Sequence, residues 1–564
     1  MQKTPFLILT IYILFSTKLF CQNLHLNIEG KTNYESKVID SLNYLKTHKD
    51  FKSINTELDS IQNTLYKKGY IENELGFIKK INDSTFSAQF YLKQKYNTIY
   101  IYFNETDVEI SIINMISKHI FNDYFKLKFT QVENALNFIN AKISEKGYPF
   151  SKLYLSNIKI KDKSNLEANL IIEPAQEKRL INNIVIKGYE KFPKSYLNHY
   201  LKIKPKQVFN LKTIENKTEQ LNTLNFADEL KPPEVLFTKD STTLYLYLKK
   251  NKSNAFDGFL GFGTNEQTNK LEFDGYLNLN LINNLNFGES FRLLYKSDEN
   301  EQKTFEVDAS LPYLFKSPIG IDLLLRIFKR DSSFTTTNQS AKLHYQINAK
   351  HKIFAGVIST ESNNLLSQNF NQAITDYKTQ YLSMAYQFLN PQSNNLLFPI
   401  KSKLYLEGAF GNRKTLNERE KQNQITIDAF KIFNLNQKSS IYIRFNGSNL
   451  KSNNYFENEL LRFGGINSIR GFEENSLFSN LYGLINTEYR FQLNNSIYIN
   501  SIIDTAYFEN KITTTKQKLF GYGFGFGILT KSGLFKFNYA NGKTENTKFK
   551  LSNSKIHLSL TTTF

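Results

Sequence analysis

Two different hydrophobic periodicities divide the chain near residue 250. In the first half, apolar residues recur at helical spacing between Ile54 and Leu65, and they alternate with polar residues in segments such as Phe86 to Leu92. From about Ala255 onward the helical spacing disappears, and short alternating segments are separated by turns rich in Asn, Ser and Lys. The pattern predicts an α+β first half and an all-β second half.

The first half repeats itself with a step of 78 residues. The aligned apolar positions fall on one predicted helix per unit: Leu58, Leu136 and Ile214, then Leu65, Ile143 and Leu221, then Tyr70, Tyr148 and Phe226. Gly69, Gly147 and Asn225 follow the last apolar helix position of each unit. Because these residue types tolerate a left-handed backbone, we expect them to cap the helices at their C-terminal ends.

Each unit consists of a strand, two helices and then a pair of strands. The units span residues 22–95, 96–175 and 176–252. This order of elements resembles the POTRA domain of outer-membrane assembly proteins, here in three copies. The alternative is a generic α+β repeat whose copies share no role.

The second half, residues 253–564, reads as a membrane barrel. Its last segment places Ile556, Leu558, Leu560 and Phe564 on one face, and about nine residues suit a tilted membrane strand. With 48 Phe and 33 Tyr, the chain is also rich in the aromatic residues that form girdles around such barrels. A chain that ends on an outward aromatic residue resembles the C-terminal sorting signal of outer-membrane barrels.

The most specific motif is the segment Leu461 to Phe472, with the sequence LRFGGINSIRGF. It resembles the long loop of the BamA/TamA superfamily, which folds back into the barrel and ends in an Arg-Gly-aromatic tip. The resemblance implies that Arg470, Gly471 and Phe472 form the tip. It also implies that Gly464, Gly465 and Ser468 form the turn that precedes the tip.

Two later segments resemble the strands that face this loop in the superfamily. The resemblance implies inward carboxylates at Glu488 and Asp504, although Ala506 replaces the usual glycine of the second strand. An arginine inside a barrel needs hydrogen-bond acceptors, and its planar fork matches carboxylates as lysine does not. The alternative is an exposed basic loop with unrelated acids.

Three further segments fit the same interpretation. Gly521 to Gly527 alternates glycine with aromatic residues, so a strand there would place rings toward lipid and leave room for the loop in the lumen. A phosphate-binding loop is excluded, because Phe526 occupies the third glycine position and no helix start follows. Phe259 to Gly263 resembles the first barrel strand of the superfamily, and Asp308 to Tyr313 resembles a strand end with a Pro-Tyr pair.

The resemblance implies a 16-stranded barrel whose first and last strands meet in a weak lateral seam. The candidate seam residues are Phe259, Gly261, Phe262, Leu558, Leu560 and Phe564. In the superfamily this seam is thought to open, while POTRA edge strands accept client chains by β-augmentation. Three units make the chain more similar to TamA than to BamA.

The N-terminus predicts export. An apolar stretch from Pro5 to Phe15 follows Lys3 and is too short to span a bilayer, as expected for a signal peptide at residues 1–21. Removal of Cys21 would leave no cysteine in the mature chain, and lipidation of Cys21 is the alternative. Cleavage would exclude disulfides, zinc–thiolate sites and cysteine nucleophiles. We expect a protein of the outer membrane with its POTRA units in the periplasm.

Charge and motifs argue against nucleic acid binding and catalysis. The formal charge of +19 is spread evenly over both halves instead of forming one basic patch, which indicates a solvated lysine-rich surface with some attraction to anionic lipid. Nucleophile-elbow, metalloprotease and calcium-loop motifs do not occur in the sequence. We therefore expect no enzyme activity, cofactor or metal site.

The predicted function is assembly, insertion or translocation of outer-membrane proteins. The expected partners are the outer-membrane bilayer, unfolded or partly folded client proteins, and a periplasmic or inner-membrane partner of the POTRA units. Two alternatives stay open. One is a two-partner secretion pore, which usually carries two POTRA units and a plug helix, and the other is a solute channel or receptor.

Overall fold

The computed structural model describes most of the chain in eight stretches and one residue pair. They are residues 23–173, 178–264, 271–297, 302–366, 373–392, 395–530, 533–548, 550–551 and 554–563, without the side chains of 259–264, 271–275 and 563. The predicted signal peptide, Cys21 and Phe564 lie outside the described residues. The chain divides into two compact units. The first runs up to Leu180 and includes Val208–Asn210, and the second comprises Ile181–Gln207 and Leu211–Phe564.

The first repeat contains two helices and a small mixed sheet. Its elements are β1 (Leu24–Gly30), α1 (Asn33–Asp40), β2 (Thr47–His48), α2 (Phe51–Lys67), β3 (Glu74–Leu75), β4 (Lys79–Lys80) and β5 (Thr85–Tyr91). The sheet order is β2-β1-β5-β3, and β1 and β5 are parallel. Helix α2 begins where the Asp50 side chain accepts a hydrogen bond from the Ser53 backbone. Its predicted apolar face, from Ile54 to Leu65, is buried against the sheet.

The second repeat has the same parallel central pair. Its elements are β6 (Thr98–Tyr102), α3 (Ile110–Ile113), β7 (Tyr124–Lys128), α4 (Val132–Glu145), β8 (Lys152–Asp162) and β9 (Asn165–Glu173), in sheet order β7-β6-β9-β8. Gly69 and Gly147 follow the long helices with φ of 99° and 101°. At Gly69 an added Cβ would lie 2.1 Å from the carbonyl oxygen of Tyr96, so both conformation and space require glycine there.

In the third repeat, the helix that aligns with the long helices of the first two repeats ends differently from them. Its elements are β10 (Asn183–Lys187), a π-helical turn (Tyr196–Tyr200), α5 (Leu211–Thr218), a 3₁₀ turn (Glu219–Thr223), β11 (Ala227–Phe237) and β12 (Thr242–Lys250), in sheet order β10-β12-β11. The left-handed cap predicted at Asn225 is wrong, since Asn225 does not have positive φ. The helix tightens into the 3₁₀ turn and the chain leaves it in extended conformation at Leu224.

Among the described helices, none is long and apolar enough to cross a membrane.

The second half is a closed barrel of 16 antiparallel strands in sequence order. Its strands are β13 (Ala255–Thr264), β14 (Leu271–Ile282), β15 (Ser290–Ser297), β16 (Gln302–Leu311), β17 (Ile319–Arg330), β18 (Phe334–Gln346), β19 (His351–Asn364), β20 (Tyr377–Pro391), β21 (Ile400–Lys414), β22 (Arg419–Asn434), β23 (Ser439–Lys451), β26 (Leu481–Gln492), β27 (Ile497–Asn510), β28 (Thr515–Thr530), β29 (Gly533–Thr544) and β30 (Ser554–Thr563). A short hairpin, β24 (Leu461–Phe463) and β25 (Leu477–Ser479), lies in the loop between β23 and β26. The predicted strand number is confirmed.

Strand β27 shows how the alternating pattern separates the two faces of the barrel wall. Ile502 and Asp504 are buried and face the lumen, whereas Ile499, Ile503 and Tyr507 are between about a third and a half exposed on the outer face. This is the inverse of a soluble protein, because the apolar side chains point outward and polar side chains line the interior.

Candidate functional site in the barrel lumen

The loop between β23 and β26 turns inward through a pair of glycines. Gly464 and Gly465 have φ of 113° and 92°, which side chains rarely adopt. A Cβ at Gly464 would lie 2.5 Å from the carbonyl oxygen of Glu473, which belongs to the returning half of the loop. The Gly464 N–H donates to Ser468 Oγ at 3.1 Å. The three predicted turn residues therefore form one tight turn.

Apolar side chains pack the loop against the lumenal wall. Phe463 and Ile469 are buried in a cluster with lumen-facing residues of three strands, and the Phe463 ring stacks on Tyr482 at 4.7 Å. Ala506 belongs to this cluster and is 7% exposed. Its methyl group fills space against the loop, which accounts for alanine at a position where the resemblance leads one to expect glycine.

Arg470 brings the two predicted carboxylates together. Its Nε and Nη2 donate to the two carboxylate oxygens of Asp504 at 2.8 and 2.6 Å, and its backbone N–H donates to Asp504 Oδ2 at 3.0 Å. Its Nη1 donates to Glu488, whose other oxygen accepts from Arg490 Nε at 2.7 Å. Arg470, Glu488 and Asp504 are all less than a tenth exposed. This is a bidentate fork with a second acid, which positions the loop tip in a way that a single charge would not.

The tip itself rests on glycines of the barrel wall. A Cβ at Gly521 on β28 would lie 2.4 Å from the carbonyl oxygen of Arg470, and a Cβ at Gly471 would lie 2.4 Å from the Gly542 nitrogen on β29. A Cβ at Gly542 would lie 2.9 Å from the Phe472 ring. Of the glycine row on β28, Gly521 leaves space for the loop, whereas added Cβ atoms at the other three glycines would meet residues of neighbouring strands. Gly542 was not found from the sequence, although Asn541-Gly542 stands out in its strand.

The junction between the first and last strands is short. Strands β13 and β30 pair only at Ala255 with Thr563 and at Phe256 with Thr562 in their described residues, whereas each of the other barrel junctions extends over at least eight pairs. Thr562 Oγ1 also donates to the carbonyl oxygen of Phe256 at 2.7 Å.

The predicted seam residues are not brought into one backbone ladder. Leu558 and Leu560 pair with β29 and are 65% and 44% exposed on the outer face. Phe259, Gly261 and Phe262 pair with β14, and their side chains lie outside the described residues. The β13–β30 pairing lies instead at the other end of β13, because strand stagger in a closed barrel decides which residues meet there.

The third repeat contacts two turns of the barrel through aromatic residues that the sequence did not single out. The hydroxyl of Tyr196 donates to the carbonyl oxygen of Gly288 at 3.1 Å, and its ring packs edge-on against Tyr313 at 4.9 Å. Burial raises the pKa of Tyr196 well above its usual value, so the hydroxyl remains a donor. A Cβ at Gly288 would lie 2.0 Å from the Tyr196 ring. Of this contact, the sequence indicated only the Pro312-Tyr313 pair.

Comparison with known proteins supports this architecture. Residues 180–250 match the POTRA family model, described as a surface antigen variable number repeat. The structure of CdiB from Escherichia coli is similar with a TM-score of 0.53 and 13% identity over 90% of this chain and 98% of that chain. CdiB from Acinetobacter baumannii gives 0.52 and 16% over 83% and 90%. These similarities show the fold, a POTRA-type repeat followed by a closed barrel of 16 strands.

The other comparisons add no functional detail. A structure of Haemophilus ducreyi BamA lacking POTRA domains 1–3 gives a TM-score of 0.49 and 14% identity over 82% of this chain and 99% of that chain. The search of curated proteins found no match. At these identities the likeness concerns the fold, so a role for this protein must be argued from the geometry of its own loop, strand junction and sheet edges.

Proposed function

We propose that the protein inserts or assembles other polypeptides at the outer membrane. The observation that carries this proposal is the two-pair junction between β13 and β30 in a barrel whose other junctions are long. Over the rest of their facing edges, the described parts of β13 and β30 have a strand neighbour on one side only. A backbone group without a hydrogen-bond partner in lipid costs several kcal/mol, so a client strand that paired there would be stabilised together with the barrel.

The repeats supply an edge on which a client strand could pair first. In the first repeat the flanking strands β2, β3 and β4 have two residues each, which leaves little backbone to pair with. Strand β8 of the second repeat is an 11-residue edge strand with Ile158 and Ile160 more than half exposed. We infer that β8 accepts extended client segments by β-augmentation.

The corresponding edge strand of the third repeat is less suitable. Both β8 and β11 have register shifts against their partner strands, but the shift in β11 between Lys231 and Glu234 contains Pro232 and Pro233. Proline has no N–H to donate, so it breaks an edge to which another strand could otherwise add. Strand β8 is therefore the primary docking edge in this proposal.

This function needs no catalytic group or cofactor. The free energy comes from backbone pairing at the edges and from burial of apolar client side chains in lipid. The lumenal loop, fixed by Arg470, supports the wall beside the last strands while the seam exchanges partners. The proposed location is the outer membrane with the repeats in the periplasm, where a periplasmic or inner-membrane protein could deliver clients to them.

A two-partner secretion pore is the second candidate, and the fold shared with the CdiB structures is compatible with it. In that case a dedicated protein would pass through the lumen and the seam would stay closed. The three repeat sheets in the described chain differ from the two units usual for such pores. The lumenal position of the loop also means that export would require the loop to move.

Locking the seam separates these two candidates. Phe256 and Thr562 lie directly opposite each other, at a Cα separation that suits a disulfide, so Phe256→Cys with Thr562→Cys should crosslink under oxidation. The matched control is Lys536→Cys with Ser559→Cys, which links β29 to β30 within a long junction. Each variant replaces the wild type in cells depleted of it, and the outer-membrane proteome is measured with and without reductant.

For an insertion factor, oxidation of the seam pair lowers many outer-membrane proteins, reductant restores them, and the control pair has no effect. For a secretion pore, the locked seam leaves the outer-membrane proteome unchanged, and depletion removes one exported protein. An unchanged proteome after both depletion and locking would contradict the proposal.

A further inference from the structure

A second buried arginine holds a different part of the lumenal loop. Arg413, at the end of β21, is 2% exposed. Its Nη1 donates to Glu459 of the loop and to the carbonyl oxygen of Asn454 at 3.2 Å, and its Nη2 donates to Glu420 on β22. Its guanidinium also lies 4.1 Å from the centre of the Phe456 ring. One side chain thus joins two barrel strands to the first half of the loop.

Both carboxylates around Arg413 also accept hydrogen bonds from other groups. Glu420 Oε1 accepts from the backbone N–H groups of Asn453 and Asn454, the latter at 3.0 Å. Glu459 Oε2 accepts from Gln422 Nε2 at 3.1 Å. The loop backbone and the loop carboxylate therefore both depend on the charge balance that Arg413 provides.

The neighbouring loop residue Asn458 extends this attachment along the wall. Its Nδ2 donates to Ser362 Oγ and to the carbonyl oxygen of Thr375, both at 2.9 Å, and its carbonyl oxygen accepts from the Tyr377 hydroxyl at 3.2 Å. Asn458 is 4% exposed. A set of hydrogen bonds this complete specifies one loop position, because each displaced donor or acceptor would be left without a partner.

The first half of the loop and its tip reach opposite walls. Glu457 pairs with Arg330 on β17 at 2.7 Å, whereas Arg470 binds Asp504 on β27. In the strand order of the closed ring, β17 and β27 are separated by half of the strands. The loop between these contacts therefore crosses the lumen.

We propose that Arg413, with Glu420 and Glu459, is a positioning clamp that keeps the loop across the lumen and closes it. Arg470 holds the tip at β27, Arg413 holds the first half of the loop at β21 and β22, and release of either contact opens a path past the loop. This inference concerns the lumen alone, and it holds whether the barrel inserts clients at its seam or exports a protein.

Arg462 provides a direct reporter of the clamp. Its guanidinium is enclosed by the rings of Phe328, Phe334 and Phe478 at 4.2 to 4.8 Å, and its Nη atoms are buried. Trypsin requires an exposed arginine in an unfolded segment, so the bond after Arg462 should be resistant while the first half of the loop is clamped. Cleavage there, measured by mass spectrometry, reports its release.

The test compares the full-length wild type with Arg413→Ala, Arg413→Lys and Glu459→Gln in planar lipid bilayers and in the trypsin assay. We expect Arg413→Ala to raise the mean conductance several-fold and to expose Arg462, because Glu420 and Glu459 then repel each other. Lysine keeps the charge but does not reach both acids, so Arg413→Lys should recover part of the closure. Glu459→Gln should have an intermediate effect. The matched control is Arg419→Ala, an exposed arginine at the start of β22.

Heat-modifiable migration on gels shows that each barrel has folded. A folded Arg413→Ala variant with wild-type conductance and a protected Arg462 would overturn the proposal. If Arg413→Ala does not fold, Glu459→Gln decides, because it removes the loop charge that pairs with Arg413 and keeps the size of the side chain. Raised conductance and cleavage after Arg462 in that variant support the clamp, and wild-type behaviour contradicts it.

Discussion

Strands in the first repeat and in the barrel both alternate between inward and outward side chains, but the inward side chains are apolar in the repeat and largely polar in the barrel. In the repeat, the inward positions are apolar and helix α2 covers them through Ile54, Leu58, Ile61 and Leu65. In the lumen, the inward positions include Asp504 and Glu488, and an arginine of the loop satisfies them. Burial of apolar surface stabilises the repeat, and many sequences can provide it. In the lumen, paired charged groups stabilise the structure, and they specify one geometry.

The largest effect should follow the loss of one partner from the lumenal fork. Arg470→Ala removes the two side-chain hydrogen bonds to the buried Asp504 and leaves only the one from the backbone N–H of residue 470, and breaking such a pair costs about 3–5 kcal/mol, less where lumen water reaches it. Glu488 retains Arg490, so Asp504→Ala should be more strongly non-additive with Arg470→Ala than Glu488→Ala is. Arg470→Lys should recover part of the stability, since it keeps the charge without the fork.

The measurement is the temperature at which each variant loses its heat-modifiable migration, for the single and double variants. Strict additivity of Arg470→Ala and Asp504→Ala would show that the fork does not hold the loop.

A large-to-small change in the repeat should cost somewhat less and act only there. Leu65→Ala removes a fully buried side chain from α2, which typically destabilises by about 2–5 kcal/mol. Asn63→Ala, on the exposed face of the same helix, is the control. Hydrogen exchange of the full-length protein should show lost protection in residues 23–92 with Leu65→Ala alone. Equal loss of protection in the barrel would mean that the two regions are not held independently.

An acid on the outer face of the last strand tests the inverted pattern. Leu558→Asp with Leu560→Asp places charge against lipid, at up to about 2–4 kcal/mol per site near the midplane and less for acids than for bases. We expect the membrane-inserted fraction to fall, measured by fractionation and heat-modifiable migration. Ser559→Asp, on the inward position between them, should insert normally. Normal insertion of the double variant would contradict the assignment of the outward face.

The smallest effects distinguish the helix ends of the repeats. Gly69→Ala forces a side chain into a left-handed backbone beside the Tyr96 carbonyl group, and we expect a loss on the order of 1–3 kcal/mol. Asn225→Ala should change stability by much less, because Asn225 does not have positive φ. Hydrogen exchange in each repeat measures both. A similar loss at the two positions would mean that Asn225 acts as a cap after all.

The sequence predicted the contact of Arg470 with its two carboxylates more completely than the rest of the site. Arg470, Glu488 and Asp504 were found because the loop motif and two strand motifs resemble those of the superfamily, and the structure brings the three side chains together. The Arg413 clamp was not predicted from the sequence, although all three of its residues are charged. Arg413, Glu420 and Glu459 lie on two strands and a loop, and without a motif their spacing does not indicate that they meet.

The helix ends and the junction of the first and last strands show the same limit of prediction from the sequence, the first between residues close in the chain and the second between residues far apart in it. Gly69 and Gly147 were predicted as caps from position and residue type, but Asn225 is not a left-handed cap because the preceding helix tightens into a 3₁₀ turn. The seam was expected between Phe259 to Gly263 of the first strand and Ile556 to Phe564 of the last strand. Its backbone contact nevertheless lies at Ala255 and Phe256, ahead of the residues chosen from the sequence.

The sequence by itself indicated where strands alternate and which face their side chains take in segments such as Phe86 to Leu92 and Ile556 to Phe564. It also indicated a threefold repeat in the first half, whereas the strand number came from the resemblance. Alternation and helical spacing are local properties, and they survive in any tertiary arrangement. Only the tertiary structure decided that Arg413 meets Glu459, that Tyr196 meets Gly288, and that β13 and β30 share two residue pairs. Those contacts depend on the stagger of the closed ring and on where the loop and the third repeat pack, and no local pattern encodes these distances.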